Sequence, residues 1–206
     1  MELEGDPGSG TEVGSRRVES EPLAQPPNAQ NLQILPPNQA WSCILCGGWN
    51  SGAVEPVTRE QSLCVVCRST WRARAVVLGL LIGLGYRPGP LPSFPPDWSR
   101  RGIGCSDDVT IASRLPGYFS YSNTYYDQFP HLDLADPAPN AIGQFEFVTC
   151  SDVLEHVTPP VHNAMAGLSR CLRDGGFAVI TVPTHRSDET IEFYDGLVDY
   201  RLDETD

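Results

Sequence analysis

The sequence predicts an α/β fold built on a parallel sheet, and three observations carry that prediction. Two short, almost continuous apolar runs, Phe145 to Cys150 and Phe177 to Val182, suit strands buried on both faces. Between them Val161, Met165, Leu168 and Leu172 recur at intervals of three or four, which gives a helix one apolar face to lay on the sheet. Ahead of these, two Cys-x-x-Cys knuckles mark a smaller module of its own.

Taken in order, residues 1 to 38 are rich in Gly, Pro, Ser, Asn and Glu, with too few large apolar side chains to offset ordering entropy; a disordered arm is expected. Met1 to Gly10 has no apolar segment of the kind that opens a secretory signal. Residues 39 to 86 form the cysteine module, in which Cys43/Cys46 and Cys64/Cys67 are separated by seventeen residues. Zinc takes four soft ligands in a tetrahedron, and a two-residue spacer lets one tight turn supply two thiolates. Gly47 and Gly48 let the backbone fold around the metal. A redox dithiol would not need the second pair, whereas an iron centre of rubredoxin type would use the same ligand set. With all four positions filled by cysteine the site is closed, and its role is structural. The module ends in an apolar run, Ala75 to Gly85, which is shorter than the roughly 20 residues of a membrane span and reads as a buried helix.

Residues 87 to 97 contain five prolines, which remove amide donors and predict an extended linker. The α/β part follows over residues 98 to 206. Its first loop is Arg101-Gly102-Ile-Gly104-Cys-Ser106-Asp107. A dinucleotide fingerprint would put Asp107 at the third glycine, where a carboxylate would face a pyrophosphate, and this argues against NAD. A helix is predicted from Asp108 to Leu115 with Val109, Ala112 and Leu115 facing the sheet, then a strand within Tyr118 to Tyr126, then a short strand at His131 to Asp136. Pro159 and Pro160 start the long helix, and Gly175 and Gly176 stop it. Cys105, Cys150 and Cys171 read as small core-filling residues.

Charge is unevenly spread. Residues 41 to 101 carry seven arginines against three acids, and residues 102 to 206 carry seventeen acids against five arginines, within a chain of net charge -12. So acidic a half repels a phosphate backbone, and nucleic acid is a disfavoured partner. The odd cysteine count and the paired knuckles fit a reducing compartment, so the cytoplasm is the expected location.

The order of strand, Ser151-Asp-Val-Leu-Glu-His156 turn, helix and strand resembles the fourth strand to fifth strand of class I S-adenosylmethionine-dependent methyltransferases of the type 11-like kind, and the Gly102/Gly104 segment resembles their first loop. The cysteine module, with Arg72-Ala-Arg74 and a hydrophobic helix after the second knuckle, is similar to the zinc ribbon found ahead of some bacterial methyltransferase domains. The resemblance implies a Rossmann-like sheet that binds S-adenosylmethionine beside Gly102, Gly104, Ser106, Asp107, Asn123, Asp133, Ser151 and Asp152. It also implies Zn2+ on Cys43, Cys46, Cys64 and Cys67. His156 is the candidate base for a hydroxyl acceptor, because its ordinary pKa lies near neutrality. The alternative is a structural histidine bonded within its helix. Glu155 reads as a solvated helix residue, and Arg68, Arg72 and Arg74 as capping residues that pair with nearby carboxylates or as contacts for an anionic substrate. Three positions depart from the family pattern, the first being Ser106, which stands where a third glycine often sits. No acid precedes the first loop, and the ribose acid after the second strand is replaced by Asn123, Thr124 or Asp127.

Residues 184 to 206 are too few for the final helix and hairpin of that fold, so the sheet is expected to be incomplete and its edge open to pairing with a second copy. Three functions follow. The first is a methyltransferase acting on a small-molecule or glycan-type acceptor; the others are a non-catalytic zinc-ribbon interaction protein and an RNA methyltransferase.

Overall fold

The computed structural model describes residues 40–51, 62–157 and 160–183. The predicted arm, Pro159 at the helix start and everything after Pro183 lie outside the described residues.

Strands β1 (Ala40–Ser42) and β2 (Trp49–Ser51) pair antiparallel on either side of the first knuckle. After the second knuckle comes helix α1 (Trp71–Gly83), capped by Thr70, whose Oγ1 accepts from the Ala73 N–H at 3.1 Å. Four parallel strands form the main sheet: β3 (Asp97–Cys105), β4 (Phe119–Thr124), β5 (Phe145–Ser151) and β6 (Leu172–Thr181), in the order β4-β3-β5-β6. Helix α2 (Val109–Ala112) lies between β3 and β4, and α3 (Val161–Cys171) between β5 and β6. This is a doubly wound, Rossmann-like α/β arrangement. The chain leaves β3 to one side for β4 and to the other for β5, which makes the β3/β5 boundary the topological switch point.

The two faces of the sheet have different cores. Tyr121, Phe119 and Phe147 point to one face, where they meet Ile111 and Leu115 and the α1 residues Ala73, Val76, Val77, Leu80 and Leu81. The same cluster runs on into Cys43, Leu45, Cys64 and Cys67, so the cysteine module and this face of the sheet share one core. On the other face Ile103, Val148 and Cys150 pack against Ala164, Leu168 and Cys171 of α3 and against Leu132 and Leu134. Burial of these apolar surfaces, at about 25 cal/mol per Å², is the main stabilising term.

Several expectations are corrected by this packing. The segment 87–97 is not an extended connector: Leu91–Ser93 forms a 3-10 turn and Leu91 is fully buried, its N–H donating to Ile44 O at 2.7 Å. Proline fits this turn because it occupies the first turn of a helix, where no amide donor is needed. Helix α2 is shorter than predicted, and Ile111 rather than Val109 faces the sheet; Val109 is 74% exposed. In α3 the buried face is Ala164, Gly167, Leu168 and Cys171, while Val161 and Met165 are exposed. Small residues line that face because the helix lies close on the backbone of Leu134; a Cβ on Gly167 would overlap the Leu134 carbonyl. Gly175 and Gly176 do not stop α3, which already ends at Cys171. They sit inside β6, where residues 173 to 176 bulge out between the pairs Phe145↔Leu172 and Phe147↔Phe177. Gly175 has φ +75° there. The predicted third strand is only a single parallel bridge between Tyr125 and His131.

Candidate active site and metal centre

The two knuckles are built alike. In each, the residue after the second cysteine takes a left-handed backbone, Gly47 at φ 73° and Arg68 at φ 63°. Its N–H returns to the first cysteine's carbonyl, Gly47 to Cys43 O at 2.7 Å and Arg68 to Cys64 O at 2.9 Å. The fold thus brings all four Sγ atoms within 4.8 Å of one another. Cys43–Cys67 and Cys46–Cys64 are 3.7 Å apart. A tetrahedral ion with metal–sulfur bonds of ~2.3 Å has sulfur–sulfur edges of ~3.8 Å, so the cluster fits zinc, while a disulfide would need ~2.05 Å. Polar groups surround the sulfurs. The Gly48 N–H donates to Cys46 Sγ at 3.3 Å and Asn50 Nδ2 to Cys64 Sγ at 3.5 Å. Arg74 is buried beside them, donating to Ser69 O at 2.6 Å and Ser62 O at 2.7 Å, with its guanidinium 4.6 Å from the Trp41 ring centre. A fixed cation there would offset the excess negative charge of four thiolates on a metal ion.

At the carboxyl ends of β3, β4 and β5 lies a cleft of about 280 Å³. Cys105 and Ser106 form its wall on the β3 side, Thr124 to Tyr126 on the β4 side, and Asp152, Val153, His156 and Val157 on the β5 side. Leu132 to Ala135 close the end. Of the residues expected from sequence to hold a cofactor, Ser106, Asp133 and Asp152 line this cleft together with His156. Ser106 and Asp152 both turn the chain through left-handed φ values, 53° and 56°. The Ser106 N–H donates to Thr124 O at 2.7 Å and the Asp152 N–H to Thr181 O at 3.0 Å. Asp133 Oδ1 accepts from the Ala135 N–H at 2.8 Å, which fixes its carboxylate at the cleft end. His156 ends a 3-10 turn (Leu154–His156) at the exposed rim.

The other expected residues have different surroundings. Gly102 and Gly104 are inside β3, not in a loop after it, and neither lines the cleft. Their missing side chains make room within the core: a Cβ on Gly102 would overlap the Phe147 ring, and one on Gly104 the Tyr121 hydroxyl. Asn123 is occupied elsewhere. Its Oδ1 accepts from the Asp107 N–H at 2.9 Å, and its Nδ2 donates to Tyr125 Oη at 3.0 Å. Asp107 and Ser151 are buried and do not line the cleft. Asp107 Oδ2 accepts from Thr149 and, at 2.6 Å, from Tyr121, while Oδ1 is buried with no partner among the described residues. Burial pushes this carboxyl up to about 6, against the opposing pull of the Thr149 and Tyr121 hydrogen bonds and the Arg72 charge. One Glu155 oxygen, Oε2, is likewise buried without a partner among the described residues, so Glu155 is not simply solvated.

Sequence reasoning left open what Arg72 touches. From the first turn of α1 it reaches the end of β5, with Nε 3.2 Å from Asp152 Oδ2 and Nη1 donating to Ser151 Oγ at 3.0 Å. Tyr121, Thr149 and Thr181 were also missed. Their only signal was alternation, which puts Tyr121 and Asn123 of β4 and Thr149 and Ser151 of β5 on one face.

A family model described as a methyltransferase domain matches residues 50–202. The chain belongs to this methyltransferase family. Among solved structures, the CMeT domain of the citrinin polyketide synthase is similar at 13% identity and a TM-score of 0.39, over 55% of this chain and 35% of that one. The chain thus spans about a third of that structure's length. No curated protein matches it. Among the described residues, no helix is long and apolar enough to cross a membrane.

Proposed function

We propose that the chain is an S-adenosylmethionine-dependent methyltransferase acting on a small-molecule or glycan-type hydroxyl, with a structural zinc ribbon. The observation that carries this reading is the cleft at the β3/β5 switch point, which combines two carboxylates, Asp133 and Asp152, with apolar walls from Leu132, Leu134, Val153 and Val157. That donor set suits adenosine, whose flat ring needs apolar walls and whose polar edge and hydroxyls need acceptors. Ser106, Asp133 and Asp152 would hold it. When bound, S-adenosylmethionine supplies a methyl group already activated for displacement. The chain's residues then have to bind, orient and deprotonate the acceptor, and alignment alone can be worth ~7 to 11 kcal/mol at its upper range. His156, at the cleft rim, would accept the hydroxyl proton on an imidazole nitrogen. The four cysteines suit Zn2+ and a reducing compartment such as the cytoplasm.

Calorimetry of the zinc-loaded protein with S-adenosylmethionine and S-adenosylhomocysteine tests the reading. Micromolar binding is expected, weakened about tenfold in Asp133→Ala, the equivalent of about 1.4 kcal/mol. His156→Ala should leave binding intact and lower turnover by about 10²- to 10⁴-fold. A folded, zinc-loaded chain that binds neither ligand would overturn the enzyme reading. It would leave the second one, a ribbon interaction protein with a degenerate fold, which the commitment of Asn123 to Asp107 and Tyr125 favours.

A further inference from the structure

We propose that Arg72 is a positioning residue through which the metal ribbon sets the shape of the cleft. The proposal rests on the reading of the cleft as the S-adenosylmethionine site. Asp152 takes a left-handed φ of 56°, which costs an aspartate of the order of 1 kcal/mol and persists only where its surroundings over-determine it. Here the determinants converge. Its N–H donates to Thr181 O at 3.0 Å, its Oδ1 accepts from Thr181 Oγ1 at 3.1 Å, and its Oδ2 faces Arg72 Nε at 3.2 Å. Arg72 also donates to Ser151 Oγ, which lies 2.7 Å from Thr181 Oγ1. One guanidinium therefore spans the last residue of β5 and the residue after it, and the fork geometry of arginine suits it to hold both at once.

The other end of this lever is the second knuckle. Cys67 is followed within five residues by Arg72, and the intervening chain is tied to the sulfurs. Cys67 Sγ and Ser69 Oγ lie 3.1 Å apart, the Cys64 N–H donates to Ser69 O at 3.0 Å, and Arg74 clamps that same carbonyl. Thr70 then caps α1. A metal ion on the four sulfurs fixes the knuckle, the knuckle fixes the first turn of α1, and that turn aims Arg72 at Asp152. Metal and cofactor occupancy are coupled in this arrangement, and linkage makes the coupling reciprocal.

The test uses the full chain. Zinc affinity is measured by competition with a chromophoric chelator, with and without saturating S-adenosylhomocysteine. The ligand should tighten zinc binding by about fivefold or more in the wild type. Arg72→Lys should keep part of the effect and Arg72→Ala should abolish it. Hydrogen exchange without any ligand gives a separate reading: the peptide carrying Asp152 should exchange faster in zinc-loaded Arg72→Ala, while the α3 peptide stays unchanged. An unaltered zinc affinity in a wild type that binds the ligand, a coupling that survives in Arg72→Ala, or unchanged exchange at Asp152 would each overturn the proposal alone. A wild type that does not bind the ligand would overturn the cofactor reading as well.

Discussion

Arg68 and Gly47 occupy matching places in the two knuckles, yet only one is glycine. A left-handed arginine costs roughly 1 kcal/mol, and the Arg68 side chain is exposed, so Arg68→Gly should raise denaturant stability by about that amount. Gly104 has the opposite constraint. Gly104→Ala should cost about 1 to 3 kcal/mol, because its methyl would displace the Tyr121 hydroxyl from Asp107, and chemical denaturation reads this directly. Asp107 titrates higher in the fold, about 6, than in the unfolded chain, about 3.9. The folded state therefore holds its proton more tightly, and the associated stability is complete below pH ~4 and lost as pH rises through about 6. Thermal melts from pH 4 to 7.5 should show this loss in the wild type and lack it in Asp107→Asn, a difference of about 3 kcal/mol. Identical pH profiles would show that burial does not govern this carboxyl. None of this was legible in sequence, where Gly102, Gly104 and Asp107 read as a ligand loop. Glycine is required equally by a close ligand and by a crossing side chain, and only the positions of Phe147 and Tyr121 separate the two.

The elements were more legible than their orientations. β5 lies within a residue of the predicted span, and α3 begins just after Pro160 as expected but ends before the glycines expected to stop it, because continuous apolar runs and helical spacing report burial directly while a glycine pair serves a helix stop and a strand bulge alike. The face of α3 was misread because its contact with the Leu132 to Pro137 segment selects small residues, and a search for large apolar ones finds the exposed Val161 and Met165 instead. Gly167→Ala makes the point testable. The added methyl would force α3 off the Leu134 carbonyl, so affinity for S-adenosylhomocysteine should fall about tenfold, about 1.4 kcal/mol, through the cleft wall at Leu134 and Asp133. The clustering of the four cysteines, by contrast, could be read from spacing alone, since two-residue spacers leave the chain few ways to present four sulfurs. The proline-rich segment misled because Pro says what a backbone cannot donate, not which way it turns.

For the molecule as a whole, a single core runs from Cys43 and Leu45 through α1 to Phe147, so the cysteine module and the sheet are expected to unfold together. Chelation of the zinc proposed for the four cysteines should therefore shift a single thermal transition measured by both far-ultraviolet dichroism and tyrosine fluorescence, instead of removing an early one that belongs to the ribbon alone. The close seat of α1 on β6, allowed by Gly79 opposite Val179 and Gly83 opposite Phe177, has a further consequence during synthesis. The strand that covers the helix is the last of the described elements to leave the ribosome. Until it does, the apolar face of α1 is covered in part, by Phe119, Tyr121 and Phe147 but not by Phe177 and Val179, so a nascent chain ending before Leu172 should need chaperone protection that the longer chain does not.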